Sequence, residues 1–170
     1  MMIKESSYTL AQLIKCGKGE LFGAGNAQLP LPPMLMFDHI AEISSTNNVT
    51  NTGKIIAGLA VKPDIWFFGC HFAGDPVMPG CLGLDAMWQL LGFYLGWLGY
   101  PGKGRALGVE EVKFSGEVTP NCMQLEYRID IQKVIARSFT IGMADAEMLA
   151  DGKIIYTAKK LKVGLFKNSM

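Results

Sequence analysis

Two side chains with acid–base chemistry stand out in the stretch HFAGDPVMPGCLGLDAMWQ (71–89), His71 and Asp85. His39 and His71 are the only histidines of the chain, and an imidazole can serve as a base near neutral pH. Asp85 is the only charged residue in GCLGLDAMWQLLGFYLGWLG (80–99). Burial in an apolar helix disfavours its charged form and raises its pKa, so it can stay protonated and donate a proton. Gln89, four residues on, shares its helix face and can hold the carboxyl group. Pro79-Gly80 opens the helix, whose first N–H groups are unpaired and carry a partial positive charge. With no side chain at Gly80, a carbonyl oxygen can approach those groups and be polarised, as in an oxyanion hole. Base, acid and polarised carbonyl suit proton abstraction beside a carbonyl with loss of a leaving group. That is elimination of water from a β-hydroxyacyl compound, or the reverse.

The same residues allow quieter roles. A histidine among apolar residues is commonly a satisfied core group, a buried Asp is often a structural acceptor, and Pro-Gly is an ordinary helix start. Cys70 beside His71 raises a Cys–His nucleophile, but adjacent residues of an extended chain point to opposite faces. Nothing marks Cys81 as reactive. Asp75 reads as a turn residue and His39 as structural or exposed.

These groups need elements to position them. Thr9 and Gln12 form a capping-box pattern, so a short helix is expected from about 9 to 16, ending near Cys16-Gly17. Residues 17–33 are rich in Gly and Pro and read as loop. Strands are expected at 34–44 and 54–61, with a polar turn at 45–53. A helical turn is expected after Pro63, then an extended approach to His71. The central helix should run from Pro79-Gly80 to about Leu98, closed by Tyr100-Pro101-Gly102. Strands follow at 105–118, 123–135, 137–149 and 153–166. Alternation is clear at Leu125/Tyr127/Ile129/Ile131 and at Leu161/Val163/Leu165, and Asp151-Gly152 suits a hairpin turn.

The apolar run is long enough to cross a bilayer. Asp85 and Gln89 within it, four glycines after Gly80 (Gly83, Gly92, Gly96, Gly99) and no flanking Lys/Arg cluster argue against a span. A helix apolar all round is otherwise surrounded by protein. The expectation is an α+β fold, a long central helix wrapped by a curved antiparallel β-sheet. One sheet covers only part of the helix, so a second copy is expected to cover the rest.

Whole-chain properties narrow the classes further. At 170 residues one domain over 1–170 is expected. The net charge of +1 gives no basic field for nucleic acid. Charged residues are 18% and hydrophobic ones 49%, which suggests surface hidden in an oligomer. Cys16, Cys70, Cys81 and Cys122 form no C-x-x-C and fit no zinc spacing. The start MMIKESSYTL has no apolar signal region, so a reducing, cytoplasmic setting with free thiols is expected.

The stretch 71–99 resembles the signature of the bacterial β-hydroxydecanoyl-acyl-carrier-protein dehydratase/isomerase family. The likeness extends through GKGELFG (17–23), LPPMLMFD (31–38), WFFGCHF (66–72), GKGRALGV (102–109), EVKFSGEV (111–118) and LKVGLF (161–166). It implies a hot-dog fold and a homodimer with two sites at the interface, where His71 of one subunit meets Asp85 of the other. It implies no metal and no cofactor, and an acyl carrier protein as partner bearing the acyl thioester. His71 takes the C2 proton, Asp85 protonates the departing hydroxyl and the Gly80 N–H holds the thioester carbonyl. Cys70, Phe72, Met78 and Gln89 join Gly80 as expected substrate-binding positions. Related dehydratases usually carry Glu at the acidic helix position. Asp85 places the chain with the branch that also isomerises trans-2- to cis-3-decenoyl thioesters. The sequence departs from the family pattern at His39, where Arg is expected, and at Ala73, where a larger apolar residue is common. Lys133, Arg137, Lys160 and Lys162 are the expected docking surface for the acidic carrier protein. Competing readings are a hot-dog acyl thioesterase and a non-catalytic acyl-binding module.

Overall fold

In the computed structural model the described residues are 4–47 and 51–167. Helix α1 (Leu10–Gly17) starts at Thr9, whose capping box with Gln12 is formed, the Thr9 N–H donating to Gln12 Oε1 at 2.8 Å. It is followed by β1 (His39–Asn47) and β2 (Thr52–Ala60), a short 3₁₀ turn (Trp66–Gly69) and α2 (Gly80–Leu98). Then come β3 (Lys103–Gly108), β4 (Glu111–Phe114), β5 (Gln124–Ala136), β6 (Thr140–Ala150) and β7 (Lys153–Phe166). The strands form one antiparallel sheet in the order β1-β2-β5-β6-β7-β3, with β4 also pairing β7.

The inward face of the sheet is the alternating set expected from the sequence. Leu125, Tyr127, Ile129 and Ile131 of β5 are all buried, as are Leu161, Val163 and Leu165 of β7. Burying each such side chain contributes roughly 1.5–3 kcal/mol. Asp151 and Gly152 have φ of 47° and 83°, the doubly left-handed backbone of a type I′ hairpin turn between β6 and β7. Asp151 also ties that turn to β5, its Oδ1 accepting from the Gln124 N–H at 2.9 Å.

Helix α2 lies along this face and packs on β5, β6, β7 and β3. Its end is set by Gly99, whose φ of 97° is left-handed, as a glycine stop allows. The N-terminal segment covers a second side: Tyr8 and Phe22 both meet Phe93 edge-on, at 5.0 and 5.1 Å between ring centres. Gly96 makes that contact possible, because a Cβ there would stand 2.8 Å from the Phe22 ring. A third stripe, Cys81, Leu84, Asp85, Trp88, Gln89 and Gly92, stays partly or fully open. The helix is therefore covered on all but one stripe, at helical spacing, and that stripe carries Asp85. Among the described residues no helix is long and apolar enough to cross a membrane.

The expected elements need two corrections. The strand foreseen at 34–44 begins only at His39 and continues to Asn47. Residues 34–36 are held instead by side chains, Tyr127 donating to the Met36 carbonyl at 3.0 Å and Gln89 to that of Met34 at 2.9 Å, and the backbone ladder is first met at Asp38, whose N–H donates to the Gly58 carbonyl at 2.9 Å. Part of the turn foreseen at 45–53 lies outside the described residues. The single strand foreseen at 105–118 is two strands, β3 and β4, broken at Gly108, which has a φ of 155°. Both pieces pair with β7, Ala106 opposite Val163 and Val112 opposite Ala158, so the break shifts register along one partner. A long helix packed on a curved antiparallel sheet is the hot-dog fold.

Candidate active site

His71 follows directly from the 3₁₀ turn, its N–H donating to the Phe67 carbonyl at 2.9 Å. The next residues fold back on themselves. Phe72 and Asp75 exchange backbone hydrogen bonds at 2.7 and 3.0 Å, around Gly74 with a φ of 79°. Val77 then returns to His71, its N–H donating to the His71 carbonyl at 2.7 Å. The imidazole completes this ring of bonds, Nδ1 lying 2.8 Å from the Val77 carbonyl oxygen. A carbonyl only accepts, so Nδ1 carries the proton and the neutral ring leaves its lone pair on Nε2. The Phe72 ring lies over the imidazole, 3.9 Å between centres.

Asp85 stands on the open stripe of α2, in a cleft of about 190 Å³ walled by Gln28, Pro30, Trp88, Gln89 and Arg105. Gln89 Nε2 donates to Asp85 Oδ2 at 2.7 Å. The amide cannot flip, because Nε2 also donates to the Met34 carbonyl and Oε1 accepts from the Met36 N–H at 3.3 Å. Gln89 thus fixes one carboxyl oxygen of Asp85, and Oδ1 makes no bond within the described residues. Asp85 is only half-buried in the single chain, less than an all-round apolar helix would give.

No hydrogen bond or ion pair joins His71 to Asp85 among the described residues, and the Asp85 cleft does not include His71. Between them is the start of α2. No side chain caps it, and the N–H groups of Gly80 and Cys81 have no partner among the described residues. Of the other expected positions, Phe72 is exposed on the His71 loop. Cys70 is also exposed, but its thiol turns back to the Trp66 and Phe67 carbonyls at 3.6 Å. Met78 is buried in the core, its N–H donating to the Val118 carbonyl at 2.9 Å. His39 bonds the neighbouring Asp38.

Two residues that strand patterning treats as ordinary sheet positions flank Gly80: Tyr156 of β7 and Phe114 of β4. The only sequence signal for them is the pair Gly80 and Gly83, which leaves the first helical turn bare for close neighbours. Of the expected docking cations, Lys160 and Lys162 both pair with Glu110, at 2.8 and 3.5 Å. Lys133 and Arg137 are exposed and without an ion pair among the described residues. Nor do any three His, Cys, Asp or Glu side chains among them cluster as metal ligands would.

The profile of the FabA-like domain matches residues 29–159 of the chain, a span that holds His71, Gly80, Asp85 and Gln89. Solved structures share the architecture at low identity. A chain of the dehydratase heterocomplex ApeI:P from Xenorhabdus doucetiae is 18% identical, over 81% of this chain and 87% of that one, with a TM-score of 0.58. An uncharacterized protein from Erwinia carotovora subsp. atroseptica is 19% identical over 76% and 94%, with a TM-score of 0.52. A hypothetical thioesterase with coenzyme A from Streptococcus pneumoniae is 12% identical over 74% and 83%, with a TM-score of 0.51. At these identities the likeness establishes the fold.

Proposed function

The chain belongs to the FabA-like domain family, and on that premise we propose that it dehydrates 3-hydroxyacyl thioesters. The substrate is a (3R)-3-hydroxyacyl chain, C10 preferred, on acyl carrier protein, and the product is the trans-2-enoyl thioester. The same site isomerises trans-2- to cis-3-decenoyl thioester, in the cytoplasm, on the path to unsaturated fatty acids. One observation carries the reading. The chain holds a histidine whose tautomer leaves Nε2 as a base, and a carboxyl group with one oxygen tied and the other free, with an uncapped helix start between the two in sequence.

The substrate carbonyl sits at the start of α2 and accepts from the Gly80 N–H. That contact and the helix dipole stabilise negative charge on the oxygen as the C2 proton leaves. Nε2 of His71 takes that proton. Asp85, its proton on Oδ1 because Oδ2 accepts from Gln89, gives it to the departing hydroxyl, and water leaves. His71 ends protonated and Asp85 ionised, and a proton passed from one to the other resets the site. In isomerisation the pair moves a proton from C4 to C2. Because the chain does not bring His71 to its own Asp85, the site is completed in a homodimer, by Asp85 of the partner. The open stripe of α2 is the face that the second copy covers. Phe72 at the entrance contacts the acyl chain, and the exposed Lys133 and Arg137 receive the acidic carrier protein.

Product analysis with 3-hydroxydecanoyl thioester tests this reading. Trans-2- and cis-3-decenoyl products are expected from the native protein, and neither from His71→Ala or Asp85→Asn. Release of free thiol would replace the reading with a thioesterase. Binding without turnover would replace it with an acyl-binding module.

A further inference from the structure

Tyr156 lies across the first turn of α2. A Cβ placed on Gly83 would stand 2.4 Å from its ring carbon Cε2 and 2.7 Å from Met148 Sδ, so the ring rests on the bare backbone there. Its hydroxyl reaches back towards the helix start, 3.5 Å from the place a Gly80 Cβ would take. Phe114 meets the Tyr156 ring edge-on, 4.6 Å between centres, and its ring edge would stand 3.2 Å from a Cβ placed on Gly80. Gly80 and Gly83, three residues apart on one helix face, are together a seat for this side chain.

Tyr156 is 3% exposed, yet its hydroxyl bonds no described residue. A buried phenol normally finds a partner. Among the described residues no fully buried side-chain oxygen or nitrogen lacks one, so the little of Tyr156 that solvent reaches includes the hydroxyl oxygen. At that helix start the N–H donors of Gly80 and Cys81 are also without a partner among the described residues. An acceptor oxygen brought to this helix start would meet unpaired donors.

We propose that the Tyr156 hydroxyl is a further catalytic donor, joining the Gly80 N–H in holding the carbonyl oxygen of the acyl thioester. The assignment rests on the dehydratase reading above. Tyr156 donates a hydrogen bond and keeps its proton throughout. Burial, with a smaller contribution from Cys81, pushes the phenol above its ordinary pKa and keeps it a donor at neutral pH.

Tyr156→Phe removes the oxygen and leaves the ring on Gly83. With 3-hydroxydecanoyl thioester, kcat should fall on the order of 100- to 1000-fold, as for loss of one oxyanion donor, with KM and Tm nearly unchanged. Infrared spectra of bound decanoyl thioester labelled with carbon-13 at the carbonyl give the second readout. The native protein should shift the carbonyl band to lower frequency, and Tyr156→Phe should lose part of that shift. An unchanged carbonyl band in the variant overturns the proposal, whether kcat is kept or falls together with Tm. If the native protein fails to dehydrate but the band shift depends on Tyr156, the dehydratase reading fails and the carbonyl contact stands.

Discussion

At the scale of single residues, the two candidate catalytic groups are set by neighbours that only accept or only donate. The Val77 carbonyl dictates the tautomer of His71, and the Met34 and Met36 backbone dictates which end of Gln89 faces Asp85. The sequence made Asp85 and Gln89 a pair because four residues bring side chains together on a helix. It could not reveal Val77, because that contact depends on the turn of the loop between them. Tyr156 was hidden for a similar reason, since an aromatic residue in a strand reads as core. Cys16 gives a prediction at this scale. Burial pushes its thiol up to about 11 from an ordinary 9.0. Between those pH values the unfolded chain loses this proton and the folded chain keeps it, so stability should fall as pH rises through the window. Thiol labelling at pH 8 should modify exposed Cys70 and Cys81 first and Cys16 only on unfolding. Native-state labelling of Cys16 at the rate of Cys70 would contradict its burial.

At the scale of elements, the helix that presents Asp85 is the best-specified part of the chain. Pro79-Gly80 starts it, Gly99 stops it, and the apolar run between them is matched by protein on the sheet side and the N-terminal side. Its Gly92 and Gly96 look alike in sequence and differ in their surroundings. Gly96 is pressed by Phe22 and Ala27, whereas a Cβ on Gly92 would meet only Val163 at 3.7 Å. Gly96→Ala should therefore destabilise the fold by about 1–3 kcal/mol through overpacking. Within the single chain Gly92→Ala should be neutral or stabilise by up to about 1 kcal/mol through helix propensity, and any cost it carries falls on association with the second copy proposed to cover that stripe. Thermal unfolding of the two variants checks this, and equal Tm changes would contradict the packing described. The strands were legible where alternation was strict, as in β5 and β7. They were misread where hydrophobic composition ran on past a backbone break, as at Gly108. The 34–37 segment reads as strand from its composition, but side-chain hydrogen bonds to Met34 and Met36 stand where a ladder was expected.

At the scale of the whole molecule, the proposed homodimer accounts both for the open stripe of α2 and for the lack of any bond between His71 and Asp85 among the described residues. A site of this kind takes His71 from one subunit and Asp85 from the other. His71→Ala and Asp85→Asn homodimers then each lack a complete pair. In a mixed dimer, one of the two sites has both residues intact and the other has neither. The decisive measurement is to unfold the two variants, refold them together, and assay dehydration of 3-hydroxydecanoyl thioester. Each variant alone should be inactive, and the mixture should recover about a quarter of native activity, since half the dimers are mixed and each holds one good site. A mixture as inactive as its parts, with dimers re-formed, would contradict the shared site.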